Sequence, residues 1–103
     1  MIKTNDGAPG APTAARFPLG QVVSTPGALE AMANAGQEGS QLLGRHRSGD
    51  WGDVCDSDKQ ANDRALEAGQ RILSAYTLRT GTKLWVITEA DRSSTCILLP
   101  DEY

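Results

Sequence analysis

The sequence has few of the residues that usually reveal a chemical function. It contains one histidine, two cysteines and only 5% aromatic residues. The two cysteines, Cys55 and Cys96, form no CxxC pair, so neither a zinc cluster nor a thioredoxin-like redox pair is predicted. No glycine-rich cofactor loop follows a predicted strand. We therefore expect no cofactor and no resident metal.

Long apolar runs are also missing. No segment approaches the roughly 20 apolar residues that a membrane span needs. No apolar run of signal-peptide length follows Lys3. These absences predict a cytoplasmic protein without membrane contact. In a reducing cytosol, free thiols at Cys55 and Cys96 are favoured over a single bridge between them, which stays open as the alternative.

Basic charge is scarce as well. The net charge is −3, and such a chain does not attract phosphate backbones over long range, so a nucleic-acid partner is disfavoured. Binding to DNA would require the scattered basic residues to form one stripe on the surface. These residues are Arg16, Arg71, Arg79 and Lys83.

The first fifteen residues differ in composition from the rest. They contain four Ala, two Gly and two Pro, and their only long apolar side chains are Met1 and Ile2. Such a stretch cannot bury enough apolar area to offset the entropy lost on ordering. We predict a flexible tail over residues 1–15 and a single α+β domain over residues 16–103.

Periodicity and turn residues predict seven elements in the order β-α-α-α-β-β-β. The fold class expected is α+β, with an antiparallel sheet of three to four strands and the helices packed on one face. Pro18 moves the first strand toward a sheet edge or marks a strand start. The predicted strands cover 17–24, 72–78, 83–89 and 95–99, and the predicted helices cover 25–36, 40–49 and 56–69.

The helices are expected to bury narrow faces. In the first helix, Thr25 is predicted to cap and Gly36 to supply the left-handed exit. The third helix is predicted to be capped by Asp56 or Ser57. The side chains expected to face the sheet are Leu29, Met32 and Ala33 in the first helix, and Ala61, Ala65, Leu66 and Ala68 in the third.

Three stretches carry a family resemblance: residues 17–32, 44–53 and 84–103. Their most specific segments are SGDWGD at 48–53 and ITEADRSST at 87–95. They resemble a group of short, uncharacterised bacterial proteins carried on plasmids and other mobile elements, some of which bear a restriction-methylase subunit label. The resemblance implies a plasmid-related, mobile-element setting. It implies no particular reaction and assigns no catalytic or binding residue.

Acidic residues cluster in and after SGDWGD. The run Asp50, Asp53, Asp56 and Asp58 offers carboxylates of the kind that Ca²⁺ or Mg²⁺ prefer, but its spacing does not match an EF-hand loop. The alternative is that Asp56 and Asp58 favour a helix N-terminus. Asp50 and Asp53 are then turn formers beside glycines.

His46 is the only histidine and therefore the first candidate for acid–base chemistry. A neighbouring Asp50 or Asp53 would orient it as a general base. The alternative is a histidine near a helix end that bonds to the last carbonyl groups. No serine or cysteine in the chain lies in a recognisable nucleophile sequence.

Trp51 has two interpretations. An indole in a polar loop usually folds back over the edge of the core and places its N–H on a partner. If it is exposed instead, it is a natural anchor for a protein interface.

The EADRSS loop offers a second polar group. Glu89 and Asp91 have the spacing to point to one side, as paired carboxylates do in hydrolases and metal nucleases. The alternative is a hairpin loop in which Asp91 accepts backbone N–H bonds and Arg92 pairs with an acid.

We expect from these residues a non-enzymatic protein-interaction module whose face is made by the two loops, with Trp51, Asp50, Asp53, Asp91 and Arg92 as binding residues. A free sheet edge could also support a homodimer, so monomer and homodimer both stay open. The alternative is a small metal-assisted or acid–base hydrolase. It would use His46, Asp50, Asp53, Glu89 and Asp91, and it requires the two loops to converge.

Overall fold

The computed structural model describes residues 15–103, and within this range three helices and four strands confirm the α+β class. The predicted tail, residues 1–15, lies outside the described residues except for Ala15. The strands are β1 (Gln21–Ser24), β2 (Ile72–Thr77), β3 (Lys83–Thr88) and β4 (Ser94–Leu98). The helices are α1 (Pro26–Ala35), α2 (Gly39–Arg47) and α3 (Asp56–Ala68), and a short 3-10 helix (Pro100–Glu102) follows β4.

The strands form one mixed sheet in the order β1-β4-β3-β2. β2, β3 and β4 are antiparallel neighbours, as predicted. β1 pairs parallel to β4, with Val23 opposite Cys96, so the prediction of a wholly antiparallel sheet is wrong. The chain leaves β1 directly into α1 without a hairpin turn, and β4 is reached only after three helices and two strands. A connection of that length can return a strand in either direction.

The helices cover one face of the sheet, as predicted. From the strands, Tyr76, Leu84 and Val86 pack in a core cluster with Met32 of α1 and Leu42 of α2. A second apolar cluster unites Phe17, Trp51, Ala65 and Ile72 beneath α3. The opposite face of the sheet carries the alternate residues of the same strands.

Helix α1 begins and ends as predicted. The Thr25 hydroxyl accepts a hydrogen bond from the Ala28 N–H at 3.1 Å. Pro26 occupies the first turn, and Gly36 ends the helix with φ 64°. Thr25 also donates to a carboxylate oxygen of Glu102. This bond ties the junction of β1 and α1 to the C-terminal 3-10 helix.

The buried face of α1 differs from the prediction. The helix buries Ala28, Met32 and Ala35, whereas Leu29 is 56% exposed and Ala33 is also exposed. The two possible stripes are one residue apart, and both satisfy helical spacing. Small Ala28 and Ala35 allow the helix to approach the sheet closely, which turns Leu29 outward.

Helix α3 also departs from its predicted face. Its N-cap is Cys55, one residue before the predicted Asp56 or Ser57. Ala65 is buried and Leu66 half-buried, but Ala61 and Ala68 are exposed. The second buried residue of α3 is the polar Asn62.

Asn62 is buried because its amide completes the outer edge of β2. Its nitrogen donates to the Leu73 carbonyl at 2.8 Å, and its oxygen accepts from the Leu73 N–H at 3.2 Å. Two residues further along, Ala75 is bonded in the same way by backbone: its N–H donates to Trp51 and its carbonyl accepts from Asp53. The outer edge of β2 is therefore closed by other parts of the chain.

Gly52 makes this closure possible. It forms an isolated parallel bridge with Ala75 and has φ 76°. A Cβ at this position would lie 2.0 Å from the Ala75 carbonyl oxygen, so only glycine permits so close an approach.

None of the helices within residues 15–103 combines the length and apolar character that a membrane crossing demands.

We expect Asn62→Ala to lower the free energy of unfolding by about 2 kcal/mol, because the Leu73 N–H and carbonyl lose their partner together. Urea denaturation followed by circular dichroism measures this change. Gln60→Ala is the matched control, since Gln60 is exposed on the same helix and its loss should change stability by about 0.5 kcal/mol or less. Equal effects of the two substitutions would contradict this role of Asn62.

Candidate functional site

Trp51 is part of the core. Its side chain is only 4% exposed. Its indole N–H donates to a carboxylate oxygen of Asp63 at 3.0 Å, and its ring stacks on Phe17 at 6.2 Å between centroids. Of the two interpretations of Trp51, the structure therefore agrees with the first, in which the indole folds back over the edge of the core. Its ring offers little surface to a partner in the folded protein.

His46 lies at the centre of a buried hydrogen-bonded chain. Its Nδ1 is 2.6 Å from the Ser74 hydroxyl, and its Nε2 is 2.9 Å from the Thr88 hydroxyl. Thr88 is in turn 2.7 Å from the Thr95 hydroxyl, which donates to the Leu19 carbonyl at 2.7 Å. We call these five residues the His46 chain.

The direction of every bond in the His46 chain follows from its last member. Because the Leu19 carbonyl only accepts, the Thr95 proton is used there, and Thr95 must accept from Thr88. Thr88 then accepts from Nε2–H of His46. In the neutral imidazole, which carries a single proton, this leaves Nδ1 as the acceptor for Ser74.

The environment favours this neutral form. Burial of the ring lowers the pKa of His46 to about 4, and the positive charge of Arg92 lowers it further. The side chain is 0% exposed, so no substrate reaches it in the folded state. Both ring nitrogens are also engaged. His46 consequently lacks the access that the expected general-base role requires.

The aspartates of the SGDWGD loop are occupied in structural contacts. Asp50 forms an ion pair with Arg45 at 2.7 Å, and this bond holds the pKa of Asp50 below its usual value. The Asp50 carbonyl accepts from the Tyr76 hydroxyl at 2.6 Å, while burial raises the pKa of Tyr76 to about 12. Asp53 accepts from the Thr77 hydroxyl at 2.7 Å.

Arg92 fastens the EADRSS loop to the end of α3. It has φ 61°, a left-handed conformation. Its guanidinium donates to the carbonyls of Gln70 at 2.6 Å, Glu89 at 3.0 Å and Ala65 at 3.0 Å. Ala65 lies in the last turn of α3, and Gln70 follows two residues after the helix ends. Within residues 15–103, Arg92 therefore pairs with carbonyl groups and not with an acid.

Asp91 stabilises the same loop. Its carboxylate accepts from the Ser93 N–H at 3.0 Å, and the bonds from Ser93 lower the pKa of Asp91. This is the hairpin-loop alternative considered for Asp91. The neighbouring Glu89 is exposed, and its backbone N–H closes the hairpin on Ser94.

The two polar loops do not converge. Asp53 lies beside Thr77, whereas Glu89 follows Thr88, which is paired with Ile72. Ile72 and Thr77 are the two ends of a six-residue strand, so these carboxylates are separated by about 16 Å along the sheet. The convergence that a hydrolase would require is therefore not found.

No group of three or more His, Cys, Asp or Glu side chains within residues 15–103 could hold a metal ion. Asp56 and Asp58 lie in the first turn of α3, where carboxylates favour the helix N-terminus. Cys55 and Cys96 are both free thiols, which is the favoured alternative for them.

A shallow cleft of about 190 Å³ lies between α3 and β2. It is lined by Asp58, Ala61, Asn62, Arg71 and Leu73. The one acidic and one basic residue balance each other, and Asn62 already bonds to the Leu73 backbone. Nothing in this lining selects a particular ligand.

The outer edge of β1 is different from that of β2. Gln21 donates its N–H to Ser93, just before β4, and Thr25 donates its N–H to Ile97 of β4. The alternate residues, Val22 and Ser24, therefore direct their backbone groups away from the sheet. No residue of the described range 15–103 pairs with this side of β1. We call it the open edge. Its position agrees with the prediction from Pro18.

The strand at the open edge carries exposed apolar side chains. Within residues 15–103 the large apolar side chains that are strongly exposed are Val22 (42%), Val23 (45%), Leu29 (56%) and Tyr103 (65%). Two of the four, Val22 and Val23, lie in β1. The sequence contained a signal for this site, since QVVS is an uncharged β-branched segment placed between Pro18 and the cap at Thr25.

Comparison with known proteins adds no family to this description, because no family model, curated protein or solved structure matches the chain.

We expect the imidazole of His46 to stay neutral, with its proton on Nε2, down to about pH 4. Long-range ¹H–¹⁵N NMR of the single histidine should show a protonated Nε2 and an acceptor Nδ1 throughout the neutral range. A titration midpoint near 6.5, or a proton on Nδ1, would show that the bond directions assigned to the His46 chain are wrong.

The same pKa predicts a loss of stability in acid. An unfolded histidine takes up its proton near pH 6.5, but the folded one does so only near pH 4. The unfolded state thus binds more protons between these values, and His46 alone lowers the free energy of unfolding by about 3 kcal/mol as the pH falls from 7 to 4. Denaturation curves at several pH values measure this slope, and a slope of zero between pH 6.5 and 5 would contradict it.

Proposed function

We propose that this protein is a non-enzymatic protein-interaction module that binds through the open edge of β1. The observation that carries the proposal is the difference between the two sheet edges. The chain uses Asn62 and the Trp51–Asp53 backbone to close β2, but it leaves β1 without a partner in residues 15–103. An exposed strand edge is a template on which another strand can add.

The composition of β1 supports this interpretation. Natural proteins usually protect an edge strand with lysine, proline or an inward charge. β1 reads Gln-Val-Val-Ser and has none of these within its four residues. Val22 and Val23 project from the two faces of the strand and provide apolar contacts beside the backbone hydrogen bonds.

The side chains of the SGDWGD and EADRSS loops mainly make contacts within the fold, so these loops are less suited to be the binding face that the sequence predicts. Trp51 is buried, Arg92 holds helix and loop carbonyls, and Asp50 is paired with Arg45. The hydrolase alternative has no specific observation in its favour, since His46 is buried and the carboxylates are far apart. We propose, as the family resemblance implies, that the partner is a protein that a bacterial mobile element encodes or meets in the cytoplasm.

Val22→Pro tests the proposal directly. The Val22 N–H faces outward, so proline removes a donor from the open edge without breaking a bond to β4. We expect the variant to fold and to lose at least tenfold in affinity for any protein bound at this edge. Capture from the bacterial host identifies candidates, and calorimetry with the purified partner measures the dissociation constant.

Val22→Thr is the matched control, because threonine keeps the N–H and nearly the same shape. A partner bound equally by wild type and Val22→Thr, but not by Val22→Pro, supports the proposal. Equal binding to all three proteins overturns the open edge as the binding surface.

A further inference from the structure

We infer that the open edge binds β1 of a second copy of this chain, in antiparallel register about a twofold axis at Val23. The inference rests on the proposed function, since it names the partner of the same edge. The paired chains would form one continuous eight-stranded sheet with the helices of both copies on the same face.

The direction of the backbone groups determines the hydrogen bonds. Val22 and Ser24 direct their N–H and carbonyl groups outward, because Gln21 and Thr25 bond inward to β4 and its neighbours. In an antiparallel pair, outward residues that lie opposite each other exchange two bonds. A twofold axis at Val23 places Val22 opposite Ser24 of the second copy on both sides of the axis. This register satisfies four donors and four acceptors.

The neighbouring register is less favourable. An axis at Val22 would require Gly20 to pair with Ser24 of the second copy. Gly20 has φ 66°, which is not an extended conformation, and a Cβ there would lie 2.3 Å from the Ser93 carbonyl oxygen. Gly20 is therefore held against the start of β4 and cannot extend the edge. The register at Val23 uses only residues 21–25.

Charge and exposure both favour a second copy. A protein of net charge −3 repels its own copies, but the segment Gln21–Ser24 carries no charge, so like charges do not meet on the paired strands. The axis at Val23 sets two valines directly opposite each other on the sheet face that the helices leave uncovered. Each is 45% exposed in the single chain, and aliphatic pairs of this kind stabilise antiparallel strands.

The surface area buried between the two copies limits the affinity of the dimer. Five residues from each copy bury a smaller surface area than a stable interface, which needs about 1,200 Å² in total. The dimer should therefore be weak and should dissociate on dilution, with a dissociation constant in the micromolar range or above.

Disulfide trapping tests the register in the full chain. The background variant carries Cys55→Ser and Cys96→Ser, because both native thiols are free and Cys96 is the register neighbour of Val23. Adding Val23→Cys places two thiols opposite each other across the axis, within the Cβ separation of about 5 Å found for opposed residues. We expect a covalent dimer under mild oxidation, seen on a non-reducing gel.

Val22→Cys in the same background is the matched control. Val22 is about as exposed as Val23. In this register, however, Val22 of the second copy lies two residues away along the strand, so the two Cα atoms are further apart than the limit of about 7 Å for a disulfide. Cross-linking at least tenfold faster for Val23→Cys supports the register. Equal rates, or a faster rate for Val22→Cys, overturn it.

Sedimentation of the native sequence separates this inference from the proposed function. A monomer–dimer equilibrium that Val22→Pro abolishes supports both. A dimer that persists in Val22→Pro overturns the second copy as the partner of the open edge, because another surface then holds the dimer. A wild-type monomer at millimolar concentration overturns the second copy as partner. The proposed function survives that result only if another protein still binds wild type and not Val22→Pro.

Discussion

The His46 chain is the interaction on which the rest of the structure depends. It joins α2 to β2 through Ser74, to β3 through Thr88 and to β4 through Thr95, and it ends on the Leu19 carbonyl just before β1. A buried polar chain of this kind is favourable only when every member is satisfied. Here each proton has one acceptor. The geometry therefore fixes the helix layer, the sheet and the segment leading to β1 in a single arrangement.

The position of β1 at the edge follows from this arrangement. Thr95 holds Leu19, and the glycine that follows allows the chain to turn tightly against Ser93. β1 is thereby laid parallel to β4 and then leaves at once into α1. The opposite edge of the sheet is closed by Asn62 and by the segment around Gly52. The polar loops are used for this internal closure, which leaves β1 as the exposed backbone surface within residues 15–103.

Local features were predictable from the sequence because they depend on neighbouring residues. Thr25 caps the start of α1 and Gly36 ends the helix, both as expected. Long-range features were not. The parallel direction of β1 depends on a partner more than 70 residues away, and the role of Asn62 depends on which strand edge lies beneath α3. Arg92 was expected to meet an acid but meets carbonyl groups, since only the fold brings the end of α3 to its loop.

The two edges of the sheet differ, because the chain itself closes one and leaves the other open to a second copy. Hydrogen exchange of four outward amides tests this difference most directly. We predict that Leu73 and Ala75 are protected at every protein concentration. Val22 and Ser24 should exchange rapidly in dilute protein and slow as the concentration rises. Rapid exchange at Leu73 and Ala75, or protection of Val22 and Ser24 in dilute protein, would contradict the account.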